Sequence, residues 1–370
     1  MSTATDSLLE FAFELHRAAA PDPDVGACWS PYSVLVALGM GATAARGSTL
    51  EELRSVLTGA PEGSIDDLAR RLGLAADLDP DGDRELHLAS TAWLRENLEI
   101  AEGFATALKR WPSGALREFG TDVSQARRQI NADVAETTRG LIPELLGEGV
   151  LGPRTVALLV SALYLKAAWM HPFDRRGTRP RRFTTPSGSA EVPTMEVVAE
   201  LGYARTDRWQ VVTMAARGGV EAVIMLPDGS LRDTEAGLSA AVPDTTLAPV
   251  PTRRLRLRLP RLRLEWHARL STPLAALGVR ELFHPDRADL TGLSPLRPVW
   301  VDEVVHRAVL RIDEQGLEGA AATAVVVAMR ALSTPPAEPL LVAVDRPFFL
   351  LIRHRRTGVI YFLARVTSPS

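Results

Sequence analysis

Sequence motifs that would give this chain catalytic or cofactor chemistry are nearly absent. Gly39-Met40-Gly41 approximates the glycine pattern of a dinucleotide site, where glycines let the backbone approach a pyrophosphate. It lies inside a helical run without a suitably placed acidic residue, so we interpret Gly39 and Gly41 as close helix-packing positions. No Gly-x-Ser-x-Gly elbow, Gly-Lys-Ser/Thr phosphate loop or His-Glu-x-x-His pair occurs. We predict neither an enzyme nor a bound cofactor.

Histidine and cysteine, the usual metal ligands and nucleophiles, are sparse. The single cysteine, Cys28, adjoins Trp29 in an apolar run, so we expect a buried, inert thiol and no internal disulfide. The histidines are scattered singly, a spacing that predicts no metal site. They are His16, His87, His171, His267, His284, His306 and His354.

Two arginine clusters, Asp174–Phe183 and Arg253–Arg263, could bind a polyanion if they lay on one surface. The alternative, which we favour, is a solvated strand face in an arginine-biased proteome, because lysine occurs only at Lys109 and Lys166. A net charge of −3 also gives no reason to expect a nucleic-acid partner. Polyanion binding stays open at this point.

The hydrophobic fraction of 46% in 370 residues is enough for a large core. The N-terminus lacks the basic start and apolar core of a secretory signal, and no segment approaches the roughly 18 apolar residues of a membrane span. We therefore expect no membrane partner, and either a cytoplasmic protein or a mature secreted form.

Helical patterns gather early in the chain and strand patterns late, which favours an α+β fold. Ser7–Ala20 and the run that follows the Ser30-Pro31 cap are predicted helices, and Thr49–Glu52 has the form of a capping box. Extended patterns follow. The predicted strands are Val156–Trp169, strand-like stretches within Gln210–Pro227, an alternating Leu/Arg pair around Pro260, and the closing strands Leu340–His354 and Val359–Val366.

The segment Glu314–Leu332 obeys no single local rule. Alanines favour a helix, whereas two glycines and three valines oppose one. With a period of two, small or apolar residues from Leu317 to Val327 fall on one face and Glu318 on the other, as in a buried strand. Met329 to Pro336 suits an exposed loop instead. Such a segment can switch between two states.

These residues resemble the serpin family, the serine protease inhibitors. Asp313-Glu-x-Gly-x-Glu-x-Ala-Ala-Ala-Thr323 resembles the hinge of the serpin reactive-centre loop, and Thr323–Arg330 is similar to the loop of antithrombin. The resemblance runs in order along the chain. Further matching motifs are Ser30-Pro-Tyr-Ser33, Ile130–Leu146, Ala162–Lys166 with Trp169 and Phe173, Met225–Asp228, Leu259–Leu262, Val304–Ala308, Asp345–Phe349 and Ala364–Pro369.

The resemblance implies one serpin domain over residues 1–370, with three β-sheets, about nine helices and an exposed reactive-centre loop at about 314–338. We interpret the chain as a bacterial, inhibitory serpin. A trypsin-like serine protease would cleave between Arg330 and Ala331 and form a covalent acyl complex, after which the loop would insert into the central sheet. Met329 and Leu332 remain alternative cleavage points. We expect a monomer.

The resemblance also assigns residue roles. The hinge would comprise Glu314, Gly316, Leu317, Glu318, Gly319, Ala320, Ala321, Ala322 and Thr323. A cluster that lets the sheet part would comprise Ser30, Ser33, Ser161 and His306. Trp169 and Arg261 would lie where the loop enters the sheet, with Arg261 paired to Glu314.

Three departures from the family pattern bear on inhibition. Ser161 stands where the family has asparagine, Leu317 replaces the usual threonine or serine, and Gly319 replaces alanine. They leave a non-inhibitory serpin, acting as a binding protein or chaperone, as the alternative function. A dinucleotide-dependent enzyme, based on Gly39 alone, is a third alternative.

Overall fold

The computed structural model describes residues 4–78, 84–206, 208–235, 250–295, 299–317 and 338–369. Within these ranges the chain forms eight α-helices and fifteen β-strands, which confirms the α+β prediction. The helices are α1 (Ala4–Ala19), α2 (Pro31–Ala44), α3 (Gly47–Thr58), α4 (Ile65–Ala76), α5 (Phe104–Leu108), α6 (Val123–Thr137), α7 (Leu231–Glu235) and α8 (Ser271–Leu277). Among these residues no helix has both the length and the apolar character to cross a bilayer.

The strands form two sheets. Their bounds are β1 (Ala27–Trp29), β2 (Arg84–Arg95), β3 (Gly114–Phe119), β4 (Ala157–Ala168), β5 (Arg179–Thr185), β6 (Gly188–Arg205), β7 (Trp209–Ala215), β8 (Val220–Pro227), β9 (Thr252–Pro260), β10 (Leu262–Arg269), β11 (Glu303–Ile312), β12 (Gly316–Leu317), β13 (Leu340–Ala343), β14 (Phe348–His354) and β15 (Ile360–Val366). A six-stranded sheet has the order β10-β11-β12-β4-β2-β3. A nine-stranded sheet has the order β1-β15-β14-β8-β7-β6-β9-β13, with β5 also on β6.

The three sheets implied by the resemblance appear as two hydrogen-bonded sheets because of β6. This strand has 18 residues and pairs with β5 along its first part, with β9 from Thr194 to Gly202 and with β7 at its end. It therefore joins two groups of strands into one sheet, a continuity that shorter strands would not allow.

The six-stranded sheet is buried on both faces at its centre, around β4 and β11. On one face, Leu159, Leu163 and Ala308 belong to the main core. On the other, Leu158, Val160 and Val305 pack in a second cluster that includes Ile130 and Val134 of α6. Side chains on β4 and β11 thus alternate between the main core and the layer under α6.

Two local predictions need correction. Thr49–Glu52 does not start a helix, since α3 begins at Gly47, and Thr49 and Glu52 instead bind Glu281 and the Arg280 and Glu281 backbone amides. The predicted strand Leu340–His354 is two strands, β13 beside β9 and β14 between β8 and β15. Pro347, which lacks an amide proton for a sheet ladder, lies between them.

Gly39 is a packing position within α2, as predicted. A Cβ built there would lie 2.3 Å from Cη2 of Trp111, whose Nε1 donates to Thr43 Oγ1 at 2.9 Å. At Gly41 the same atom would sit at ordinary contact distance, 3.7 Å from Leu159 Cδ1. Only Gly39 is therefore required by the packing.

Gly39→Ala is expected to lower the free energy of unfolding by about 1–3 kcal/mol, because the indole ring must move. Gly73→Ala in α4 is the matched control: no atom lies within 4 Å of the added Cβ, and helix propensity predicts a small gain. Urea unfolding of both variants checks this. Equal effects at the two glycines would contradict the packing argument.

Candidate functional site

The most unusual feature of the six-stranded sheet is a short strand wedged between two longer ones. β4 and β11 pair in parallel from Leu158 and Glu303 to Leu163 and Ala308. Beyond that, β12 lies between them, with Leu317 opposite both Ala167 and Ile312. The two long strands thus diverge and receive the first two residues of an antiparallel strand.

The two residues of β12, Gly316 and Leu317, are called the wedge below, and they fit closely between β4 and β11. Leu317 is fully buried in the main core, and Gly316 has no room for a side chain, because an added Cβ would lie 2.2 Å from the Ala167 carbonyl oxygen. A bulkier residue at position 316 would therefore push β4 away.

A turn before the wedge is held by side chains on both flanks. Asp313 Oδ1 accepts from the Gln315 and Gly316 amides at 2.8 and 3.2 Å. Trp169 Nε1 donates to the Asp313 carbonyl at 3.0 Å, and the Trp169 amide donates to the Gln315 carbonyl at 2.9 Å. Trp169 thus holds the turn that leads into β12, and its role in loop entry stays a prediction.

The predicted contact between Glu314 and Arg261 is present. Arg261 Nε donates to both carboxylate oxygens of Glu314 at 2.9 and 3.1 Å, and Nη2 donates to Oε1 at 2.6 Å. Thr178 adds a hydroxyl donor to the same oxygen, a partner that no sequence pattern indicated. Burial raises the pKa of Glu314, but these donors outweigh it, so the pKa lies below its usual range.

The predicted sheet-parting cluster is brought together around His306. The Ser30 amide donates to His306 Nε2 at 3.0 Å, and the Ser33 amide donates to Ser30 Oγ at 3.1 Å as the N-terminal cap of α2. Ser161 is the register partner of His306 across β4 and β11. Complete burial lowers the pKa of His306 to about 3, so the ring is neutral.

Three polar atoms in this row lack hydrogen bonds of good geometry among the described residues. They are the hydroxyls of Ser161 and Ser90, which pair in register across β2 and β4, and Nδ1 of His306, whose contact with the Ser161 backbone is of marginal geometry. A row of unsatisfied buried polar atoms in the middle of a sheet is costly, and a hydroxyl arriving between β4 and β11 would reduce that cost.

Other predicted site residues fall where the structure gives no description. These are Glu318, Gly319, Ala320, Ala321, Ala322, Thr323, Arg330 and Ala331. Cys28 is buried, and burial raises the pKa of its thiol, as expected of an inert cysteine. Across the described ranges, no three His, Cys, Asp or Glu side chains are grouped as metal ligands.

Comparison with protein families decides the identity of the chain. The family model described as serpin (serine protease inhibitor) matches residues 6–369. The chain is a serpin. Serpins are protease inhibitors rather than enzymes, so the dinucleotide-enzyme alternative is excluded.

Relatives and solved structures agree with this family. Serpin A3-1 of Bos taurus is 33% identical, over 100% of this chain and 90% of its own length. Leukocyte elastase inhibitor of Sus scrofa is 32% identical, over 97% of each chain. A thyroxine-binding globulin structure superposes with a TM-score of 0.86 at 24% identity, covering 99% of both chains, which shows the serpin fold alone.

Arg261→Ala is expected to cost about 1.5–3 kcal/mol, because it removes the charged donor from the buried Glu314 carboxylate while the Thr178 hydroxyl remains. Arg263→Ala is the matched control, since Arg263 and Glu265 are 68% and 42% exposed and such pairs contribute about 1 kcal/mol or less. Thermal unfolding of both variants provides the measurement. A similar loss in each would mean that Glu314 is not fixed by this contact.

His306 predicts a pH dependence of stability with a definite sign. Its folded-state pKa of about 3 lies below the unfolded value of about 6.5, so the unfolded chain binds a proton first and stability falls as pH drops between them. From pH 7 to 5 the wild type should lose about 2 kcal/mol more than His306→Gln. Urea unfolding at both pH values measures this. A wild-type slope in His306→Gln would refute the assignment.

Proposed function

We propose that this serpin inhibits trypsin-like serine proteases by a suicide mechanism, in which cleavage after Arg330 allows the loop to insert between β4 and β11. The observation that carries the proposal is the wedge itself, because Gly316–Leu317 already occupies the first two positions of the missing strand.

The register of the wedge indicates where the rest of the strand would go. Continued antiparallel to β4 from Leu317 at Ala167, the inserted strand brings Val326 opposite Leu158. Continued antiparallel to β11 from Leu317 at Ile312, it brings the same Val326 opposite Glu303. The two registers agree without a shift, so ten residues, Leu317 to Val326, would fill the space along both strands.

The side chains of the inserted strand would suit the environments that they would enter. Every second residue after Leu317 would face the main core, and these are Gly319, Ala321, Thr323 and Val325. Their neighbours on β4 would include Leu165, Leu163 and Leu159. Thr323 is the polar member of the set, and the register aligns it with Ser161 and His306. Its hydroxyl would therefore meet the row of unsatisfied polar atoms.

Cleavage supplies the freedom that insertion requires. The serine Oγ of the protease would attack the carbonyl carbon of Arg330, the amine of Ala331 would leave, and an ester would join Arg330 to the protease. An arginine side chain there suits the aspartate of a trypsin-like specificity pocket. From Leu317 to Arg330 an extended strand spans about 40 Å, so insertion would carry the bound protease that distance.

Insertion is favourable because the new strand pairs its backbone groups on both sides and buries its apolar face. The uncut loop is held back by its second attachment at β13, so the native form would be trapped kinetically above the inserted one. The proposal requires no cofactor or polyanion and treats the protein as a monomer.

Mixing the protein with trypsin tests this function. The expected product is an adduct that survives denaturing gel electrophoresis and has the summed mass of trypsin and residues 1–330. Arg330→Ala should lose the trypsin adduct, because the specificity pocket is no longer filled. Clean cleavage after Arg330 without an adduct would favour a non-inhibitory serpin that acts as a binding protein or chaperone.

Gly319→Pro separates insertion from cleavage. Proline removes an amide proton from the inserting strand, so acyl-enzyme hydrolysis should outrun insertion and the variant should become a substrate. Gly229→Pro is the control, because Gly229 lies between β8 and α7 and outside the inserting segment. It should keep the wild-type adduct yield. Unchanged adduct yield in Gly319→Pro would contradict insertion at this position.

A further inference from the structure

An arginine-rich face of the nine-stranded sheet lies beside both ends of the reactive loop. We define this arginine face as the solvent-facing side chains of Arg181, Glu196, Val198, Arg256, Arg258 and Leu341, on β5, β6, β9 and β13. The sequence clusters Asp174–Phe183 and Arg253–Arg263 both contribute to it, so the two clusters do meet on one surface.

Three guanidinium groups of the arginine face converge on one carboxylate. Glu196 Oε2 accepts from Arg258 Nε at 2.8 Å and from Arg181 Nη2 at 3.0 Å, and Oε1 accepts from Arg256 Nη1 at 2.8 Å. Hydrogen bonds from Arg258 and then Arg256 hold the pKa of Glu196 below its usual range. One charge cannot neutralise three, so the face keeps a positive excess in fixed positions.

Two exposed aliphatic side chains flank the central arginine. Arg256 pairs in register with Val198 on one side and Leu341 on the other. Val198 is 41% exposed and Leu341 48%. Arginine is enriched in protein–protein interfaces, and aliphatic neighbours can exclude water around a bound guanidinium.

The arginine face is continuous with both attachments of the loop. Arg261, which holds Glu314, directly follows β9, and its amide donates to the Pro193 carbonyl of β6 at 2.9 Å. At the other end, β13 begins at Leu340, shortly after the segment that carries Arg330, and pairs with β9. A protease that engages Arg330 before cleavage would therefore be ten residues along the chain from Leu340, where β13 begins.

We propose that the arginine face is an exosite that docks an acidic surface of the target protease, an inference that rests on the proposed function. The exosite raises the rate of encounter by electrostatic attraction, and Val198 and Leu341 add contact area once the protease is bound. A polyanion fits the face less well, because its sulfate groups gain nothing from contact with the exposed aliphatic side chains of Val198 and Leu341.

Pancreatic trypsins provide a direct test, since anionic and cationic forms share one specificity and differ in net charge. Wild-type protein should inhibit the anionic form faster at low ionic strength, and Arg256→Glu should reduce that rate about tenfold while leaving the cationic rate unchanged or higher. The difference should shrink as salt is raised. Arg256→Gln gives the same direction with half the charge change, should the reversal disturb folding.

Arg70→Glu is the matched control. Arg70 lies on α4, 69% exposed and paired with Asp67, so the same charge change occurs outside the arginine face. It should leave the ratio of the two rates at the wild-type value.

The outcomes separate the two proposals. If neither trypsin forms an adduct with the wild type, the proposed function fails and the exosite falls with it. If both are inhibited and Arg256→Glu keeps the wild-type rate ratio, the exosite is wrong while the function stands. If the variant changes only the rates measured with added dextran sulfate, the face binds polyanions instead.

Discussion

The structure depends on the parallel alignment of β4 and β11. Where they pair directly, partners lie 145 positions apart, as Leu163 and Ala308 do, and across the wedge Ala167 and Ile312 keep the same separation. The strands therefore diverge without slipping. Because side chains alternate between the main core and the layer under α6, a one-residue slip would put every inserted side chain on the wrong face. The maintained register is what makes a ten-residue strand an acceptable addition.

The contacts around the wedge and the centre of the sheet act at opposite ends of this space. At one end, Arg261 and Thr178 fix Glu314 so that the chain enters between the strands at a defined position. In the middle, the buried hydroxyls of Ser161 and Ser90 lack hydrogen-bond partners among the described residues. In the proposed mechanism, the first arrangement would define where insertion starts. The second would be a local free-energy cost of the native state, which the hydroxyl of Thr323 would reduce on insertion.

The sequence predicts local features well where a side chain acts on its own backbone. Ser30 caps α2 and Pro31 follows it, as their spacing indicates. Thr49–Glu52 has an equally good local pattern, yet its side chains bind Glu281 and Arg280 far along the chain. The alternating run around Pro260 is also uniform in sequence, but β9 and β10 belong to different sheets. Contacts with residues distant in sequence decide where a helix begins and which sheet a strand joins. A local sequence pattern carries no information about those contacts.

For the candidate site, the resemblance to serpins predicted the Glu314–Arg261 contact and the Ser30–His306 cluster, whereas Thr178 was missed because a single threonine in an arginine-rich run gives no signal. The pairing register of Gly316 and Leu317 with β4 and β11 could not be predicted from sequence, because neither residue type favours one pairing partner over another. The roles of the hinge, the scissile bond and the bacterial origin stay predictions.

The central claim is that the native fold stores free energy which one cut releases. The most direct measurement is the melting temperature, followed by circular dichroism, of intact protein and of protein cleaved between Arg330 and Ala331, with the cut confirmed by mass spectrometry. The account predicts a markedly higher melting temperature for the cleaved form, because the inserted strand pairs on both sides. An unchanged or lower value after complete cleavage would contradict it.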